Sequence, residues 1–133
     1  MGLVLDASAL VEVLLGTPRG LAGRRLVADN QDDLNAPALV VAEVMSALGR
    51  AERLGAVAPA RAAAAADLLL AYPLRCWEPF ATASRAWALR RSFSPYDATY
   101  VALAEATGLA LLTADQRLAR NVAAQSTATA LTV

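Results

Sequence analysis

Histidine and lysine are both missing from the 133 residues, and cysteine occurs once. Without histidine the chain has no Ser-His-Asp or Cys-His system, no imidazole pair of the kind metal-free ribonucleases use, and no His-ligated zinc. Without lysine it has no phosphate loop of the G-x-x-x-x-G-K-[ST] kind, and the dinucleotide fingerprint G-x-G-x-x-G is missing too. The single Cys76 cannot make an internal disulfide. It lies in the apolar segment "PLRCWEP", which predicts a buried structural thiol in a reducing compartment. No apolar run reaches the ~20 residues that cross a bilayer, since Arg, Asp, Glu or Pro interrupts each one. The mean hydropathy of +0.42 owes much to alanine. No basic stretch, long apolar run or small-residue cleavage site marks the N-terminus as a leader, so the cytoplasm is the expected location.

Charge is sparse and balanced. Twelve acids face twelve arginines, for a formal net charge of zero. That argues against a protein that coats nucleic acid nonspecifically, which needs many basic groups to neutralise phosphates. A local arginine patch stays open, with Arg24, Arg25, Arg90, Arg91, Arg117 and Arg120 as candidate contacts. Trp77 and Trp87 could stack on bases, although a strand and an apolar helix suit them better to core packing or a partner groove. A hydrophobic content of 57% over this length fits one domain, residues 1–133, with its own core.

Periodicity and punctuation predict a strand at 2–5, a short helix at 8–15, a helix near 18–30 and a short strand around 33–36. Pro37 opens a helix to Leu54 that Gly55 stops. "PARAAAAADLLLAYP" reads as an ordinary helix over about 59–71, because alanine is the best helix former. A strand at 74–78, helices at 80–92 and 95–107, a stop at Gly108, a strand at 109–113, a short helix "DQRLARNVA" and a last strand at 127–131 complete the chain. Strands alternating with helices predict an α/β fold with a mostly parallel sheet covered on both faces.

Ligands in such sheets bind beyond the carboxyl ends of the strands. Asp6 follows the first strand and Asp115 follows "LALLT"; Asp97 begins a helix and Glu43 lies two turns inside another. Capping offers a structural account of three of these. Asp6 or Ser8 suits the first helix, Asp115 the helix after it, and Ser94-Pro95-Tyr96-Asp97 is close to a capping box. Glu43 falls beside Leu39, Ser46 and Arg50, opposite an apolar arc of Val40, Val41, Val44, Met45 and Leu48, which allows a solvated acid near Arg50.

An all-oxygen acidic pocket suits a hard divalent ion, Mg²⁺ or Mn²⁺, which takes few carboxylates and completes its shell with water and phosphate oxygens. Receiver domains also gather acids at strand ends but use a lysine, and a haloacid dehalogenase-type phosphatase would place an acid where Ser8 stands.

The ordered segments "LVLDASAL", "ALVVAEVMSAL", "SPYDATYVALAEATG" and "LLTADQRLAR" resemble the PIN domain, most closely the VapC type of toxin ribonuclease, over essentially the whole chain. The resemblance implies a parallel sheet flanked by helices and Mg²⁺- or Mn²⁺-dependent endonucleolytic cleavage of RNA. It also implies a homodimer and inhibition by a VapB-type antitoxin. Carried over, the acidic pocket is Asp6, Glu43, Asp97 and Asp115, with Ser8 and Thr113 in support. Some PIN domains have a further acid where this chain has Arg117, which leaves the hold on a second metal open. Two alternatives share the resemblance: a catalytically silent protein-binding module, and a PIN nuclease outside any toxin pair. The antitoxin is expected across the helices at 8–30 and 38–54, because a chain with 18% charged residues should have part of its surface covered by another chain.

Overall fold

The structure, a computed structural model, describes all 133 residues. Five short strands alternate with seven helices: β1 (Leu3–Leu5), α1 (Ala7–Leu15), α2 (Pro18–Asp29), β2 (Leu34–Pro37), α3 (Val40–Arg53), α4 (Pro59–Leu70), β3 (Leu74–Trp77), α5 (Ala83–Ala88), α6 (Pro95–Thr107), β4 (Ala110–Thr113), α7 (Gln116–Gln125) and β5 (Ala130–Thr132). Every strand pair is parallel, in the order β3-β2-β1-β4-β5. The register sets Val4 beside Asn35 on one side and beside Leu111 on the other.

Successive residues of a strand point to opposite faces. Leu3, Val4 and Leu5 are all buried, as are Leu111 and Leu112, so both faces of the central strands are covered. α1 gathers α2, α3 and α4 about it, while α6 packs with α5 against β2, β1 and β4. A single core of 28 buried residues joins these layers, which makes the doubly covered parallel sheet expected from the sequence pattern.

The chain builds β1, β2 and β3 outward in one direction, then returns to build β4 and β5 on the other side of β1. The carboxyl ends of β1 and β4 therefore flank the point where the strand order reverses. Chain connections diverge there and leave a crevice.

Several sequence expectations need correction. Pro37 does not open α3: it is the last residue of β2, opposite Trp77, and the Ala38 N–H bonds the Trp77 carbonyl at 2.9 Å. The helix expected at 80–92 is a 3₁₀ turn, Pro79–Ala81, followed by the six residues of α5. The break is at Thr82, whose backbone (φ −124°, ψ 4°) is not helical. Cys76 is exposed rather than buried. It lies on the edge strand, and because Arg75 and Cys76 point to opposite faces and are both exposed, neither face is covered there. Trp87, 69% exposed, stands outside the core with Arg90 stacked 4.4 Å from its ring centre. Trp77 is half-buried and donates its indole N–H to Asn35 Oδ1 at 2.9 Å.

Candidate active site

Asp6 leaves β1 in extended conformation (φ −74°, ψ 149°) and occupies the cap position of α1, yet its side chain caps nothing. Its Oδ2 instead accepts hydrogen bonds from Ser8 Oγ and Thr113 Oγ1, each at 2.7 Å. Each hydroxyl has one proton, and both protons are committed to Asp6. The hydroxyl oxygens accept in turn, Ser8 from the Ala114 N–H and Thr113 from the Asp115 N–H, each at 3.0 Å. The 3.1 Å approach of the two hydroxyls is then a contact with no proton left to share. This network ties the β1–α1 turn to the β4–α7 turn across the switch point. Ser8 and Thr113 together hold one oxygen of Asp6, so Thr113 serves the carboxylate of the first acid rather than that of Asp115 beside it. The other oxygen of Asp6, Oδ1, receives no hydrogen bond from the protein, and since no buried polar side-chain atom lacks a partner, Oδ1 keeps some exposure to solvent.

Asp115 does cap α7. One carboxylate oxygen accepts from the N–H groups of Arg117 (2.8 Å) and Leu118 (3.1 Å). Ser94 caps α6 as expected, accepting from the Asp97 N–H at 3.2 Å. Pro95 at the first helical position then sets Asp97 in the first turn, half-buried.

Glu43 departs from the solvated reading. The buried stripe of α3 is Val40, Val44 and Leu48, while Val41 and Met45 are exposed. The stripe is narrower than the predicted arc, and Glu43 sits half-buried at its margin. Its Oε1 accepts the Tyr100 hydroxyl at 2.8 Å, and Arg50 is not its partner. Tyr100, 1% exposed, is a site residue that sequence reasoning missed. The available signal was spacing, since Asp97 and Tyr100 are three apart on α6 and share a face.

The acids sense one another. Burial pushes the Glu43 carboxyl above its usual range; the Tyr100 hydrogen bond opposes this, and the negative charges of Asp6 and Asp97 add to it. Burial likewise raises Asp97, with Asp6 and Asp115 adding repulsion, while Ser94 and Arg117 pull the other way. Tyr100 is held firmly neutral by burial and by its bond to Glu43. Yet no three acidic groups approach closely enough in this conformation to enclose one ion by themselves. The donors are all carboxylate oxygens, two of the carboxyls are raised by burial with mutual repulsion added, a repulsion that a cation would relieve, and Asp6 keeps an oxygen free. That set fits a hard ion that draws its remaining ligands from water and substrate.

Two clefts meet at Asp115. One, of about 550 Å³, is lined by Asp97, Asp115, Arg117, Arg120 and Asn121 among others. The second, of about 440 Å³, is lined by Ser8, Glu12, Arg19, Glu43 and Asp115 among others. Of the candidate arginines, Arg24 bonds the Val13 carbonyl and Arg90 stacks on Trp87, while Arg25 and Arg91 are exposed outside both clefts.

The PIN domain model matches residues 3–124. The chain belongs to the PIN-domain family. Among curated relatives, Ribonuclease VapC3 of Mycobacterium tuberculosis is 43% identical over 118 residues, covering 88% of this chain and 85% of its own. Among solved structures, PAE2754 from Pyrobaculum aerophilum matches with a TM-score of 0.70 at 25% identity, over 98% of this chain and 83% of that one. DNA-bound VapBC from Salmonella typhimurium matches with a TM-score of 0.69 over 99% and 98%, at 16% identity, a likeness of fold alone. The four acids of this PIN domain stand on the sheet edge that the switch point selects, contributed by the ends of β1 and β4 and by α3 and α6.

Proposed function

We propose that the protein is a single PIN domain over residues 1–133 that acts in the cytoplasm as a Mg²⁺- or Mn²⁺-dependent endoribonuclease, the VapC-type toxin of a toxin–antitoxin pair. The observation that carries this reading is the Asp6–Ser8–Thr113 junction. It locks one oxygen of a buried carboxylate, leaves the other without a protein partner, and keeps that carboxylate close enough to Glu43 and Asp97 for its charge to raise both. The 43% identity to a protein named Ribonuclease VapC3 supports the choice of substrate.

Asp6, Glu43, Asp97 and Asp115 would hold the ion, with Tyr100 orienting Glu43 and Ser8 and Thr113 orienting Asp6. When bound, such an ion supplies a Lewis acid for the phosphodiester and a source of hydroxide near neutral pH. The protein's part is to fix the carboxylates before substrate arrives. Incubation with single-stranded RNA and Mn²⁺ should give discrete cleavage products, and EDTA or Asp6→Asn should abolish them while the fold is retained. Cleavage that persists in EDTA would reject the metal role, and none under any condition would favour the silent binding module.

For a partner, a VapB-type antitoxin fits the exposed apolar residues of the early helices, Leu21 on α2 and Val41 and Met45 on α3. An arginine or lysine from it could reach the acids and exclude metal and substrate together. Co-expression with a neighbouring small reading frame should return an inhibited complex. Free toxin should sediment as a homodimer.

A further inference from the structure

A pocket of carboxylates poses a problem for a polyanionic substrate. The ion offsets charge at the scissile phosphate, but the flanking phosphates still meet negative groups, and a chain of zero net charge gives no long-range attraction to offset the repulsion. Fixed positive charge must therefore stand beside the acids.

Five of the twelve arginines are tied elsewhere. Arg24 and Arg61 bond the carbonyls of Val13 and Leu15, Arg75 and Arg90 lie over Trp77 and Trp87, and Arg85 pairs with Glu105. Of the other seven, three stand in the two clefts that meet at Asp115. Arg117 and Arg120 line the larger one with Asp97 and Asp115, and Arg19 lines the smaller one with Glu43 and Ser8. All three are exposed, and none makes a side-chain hydrogen bond or ion pair within the chain. Arg117 and Arg120 are three residues apart on α7 and so neighbours on one face. The wall they share is anchored, because Asn121 donates to the Ser92 carbonyl at 2.6 Å and binds α7 to the loop that leads into Asp97.

We propose that Arg117 and Arg120 form a phosphate subsite for a single-stranded RNA on the α7 side of the acids, with Arg19 holding a phosphate on the α2 side, so that the strand crosses over Asp115. Guanidinium forks match phosphate oxygens in paired hydrogen bonds and carry no base preference. The inference rests on the endoribonuclease reading above.

Steady-state cleavage of a short unstructured RNA in Mn²⁺ tests it. Arg117→Ala and Arg120→Ala should each raise KM roughly tenfold, about the loss of one charge-assisted hydrogen bond, with kcat close to wild type. Each should lower the slope of log kcat/KM against log salt by about 0.7, the single-strand value per phosphate contact. Arg19→Ala should act in the same direction, and the losses should be equal on RNAs of different sequence. Arg25→Ala and Arg53→Ala, outside both clefts, should leave KM and slope unchanged. A working nuclease whose KM and salt slope survive the Arg117→Ala/Arg120→Ala double change would overturn the subsite, as would a loss confined to kcat. If the wild type itself cleaves no RNA in Mn²⁺, the nuclease reading fails first and the subsite with it.

Discussion

Asp115 caps α7 with one carboxylate oxygen and leaves the other without a protein partner, so capping and a role in the pocket are compatible in one side chain. Asp6 is the opposite case, a cap position whose side chain has been diverted to two hydroxyls. The raised carboxyls of Glu43 and Asp97 give a pH signature whose sign follows from linkage. Each binds its proton more readily folded than unfolded, so metal-free stability falls as pH rises through their folded values. The advantage is complete only below their ordinary values of 4.5 and 3.8. Glu105, lowered mainly by its hydrogen bond to Arg85, works in reverse: its stabilisation is present above 4.5 and lost as pH falls through its folded value. Metal-free melting should therefore rise on acidification through the folded values of Glu43 and Asp97 toward 4.5, and the Glu105 loss should oppose it only below that. Glu43→Gln should rise less, because it removes one of the two raised groups. A flat profile in both proteins would contradict raised carboxyls at Glu43 and Asp97.

Among the elements, what was legible in the sequence was local. Gly108 ends α6 with a left-handed backbone (φ 68°), as its place after the apolar run predicts, and Ser94-Pro95 starts the same helix. Pro37 ends β2 rather than opening α3 because its conformation is decided by β3, some forty residues away, and Cys76 is exposed because burial on an edge strand depends on which helices reach it. The Glu43–Tyr100 bond joins residues 57 apart: spacing on α6 puts Tyr100 on the face of Asp97, but no local pattern names Glu43 as its partner. Another long-range requirement sits at the α1–α2 contact. A Cβ on Gly20 would fall onto the Glu12 carbonyl oxygen of α1, backbone that cannot swing aside. Gly20→Ala should cost about 1–3 kcal/mol, the usual penalty of overpacking, measured by urea denaturation. An unchanged midpoint would mean that α2 can shift without loss.

For the whole molecule, the reversal of strand order between β1 and β4 brings acids from separate segments to one edge of the sheet. They come from the ends of two parallel strands and from α3 and α6, and no segment of the chain holds them alone. A ligand that bridges these elements binds only the folded state, so it stabilises the fold by mass action. The central claim is that the four acids form a divalent-ion site, and calorimetric titration of Mn²⁺ into wild type and Asp97→Asn tests it most directly. The account predicts saturable binding to wild type and markedly weaker binding to Asp97→Asn, whose metal-free form should melt no lower than wild type at neutral pH. Equal Mn²⁺ affinity in the two proteins would contradict it and leave Asp97 as a residue of the α6 helix start alone.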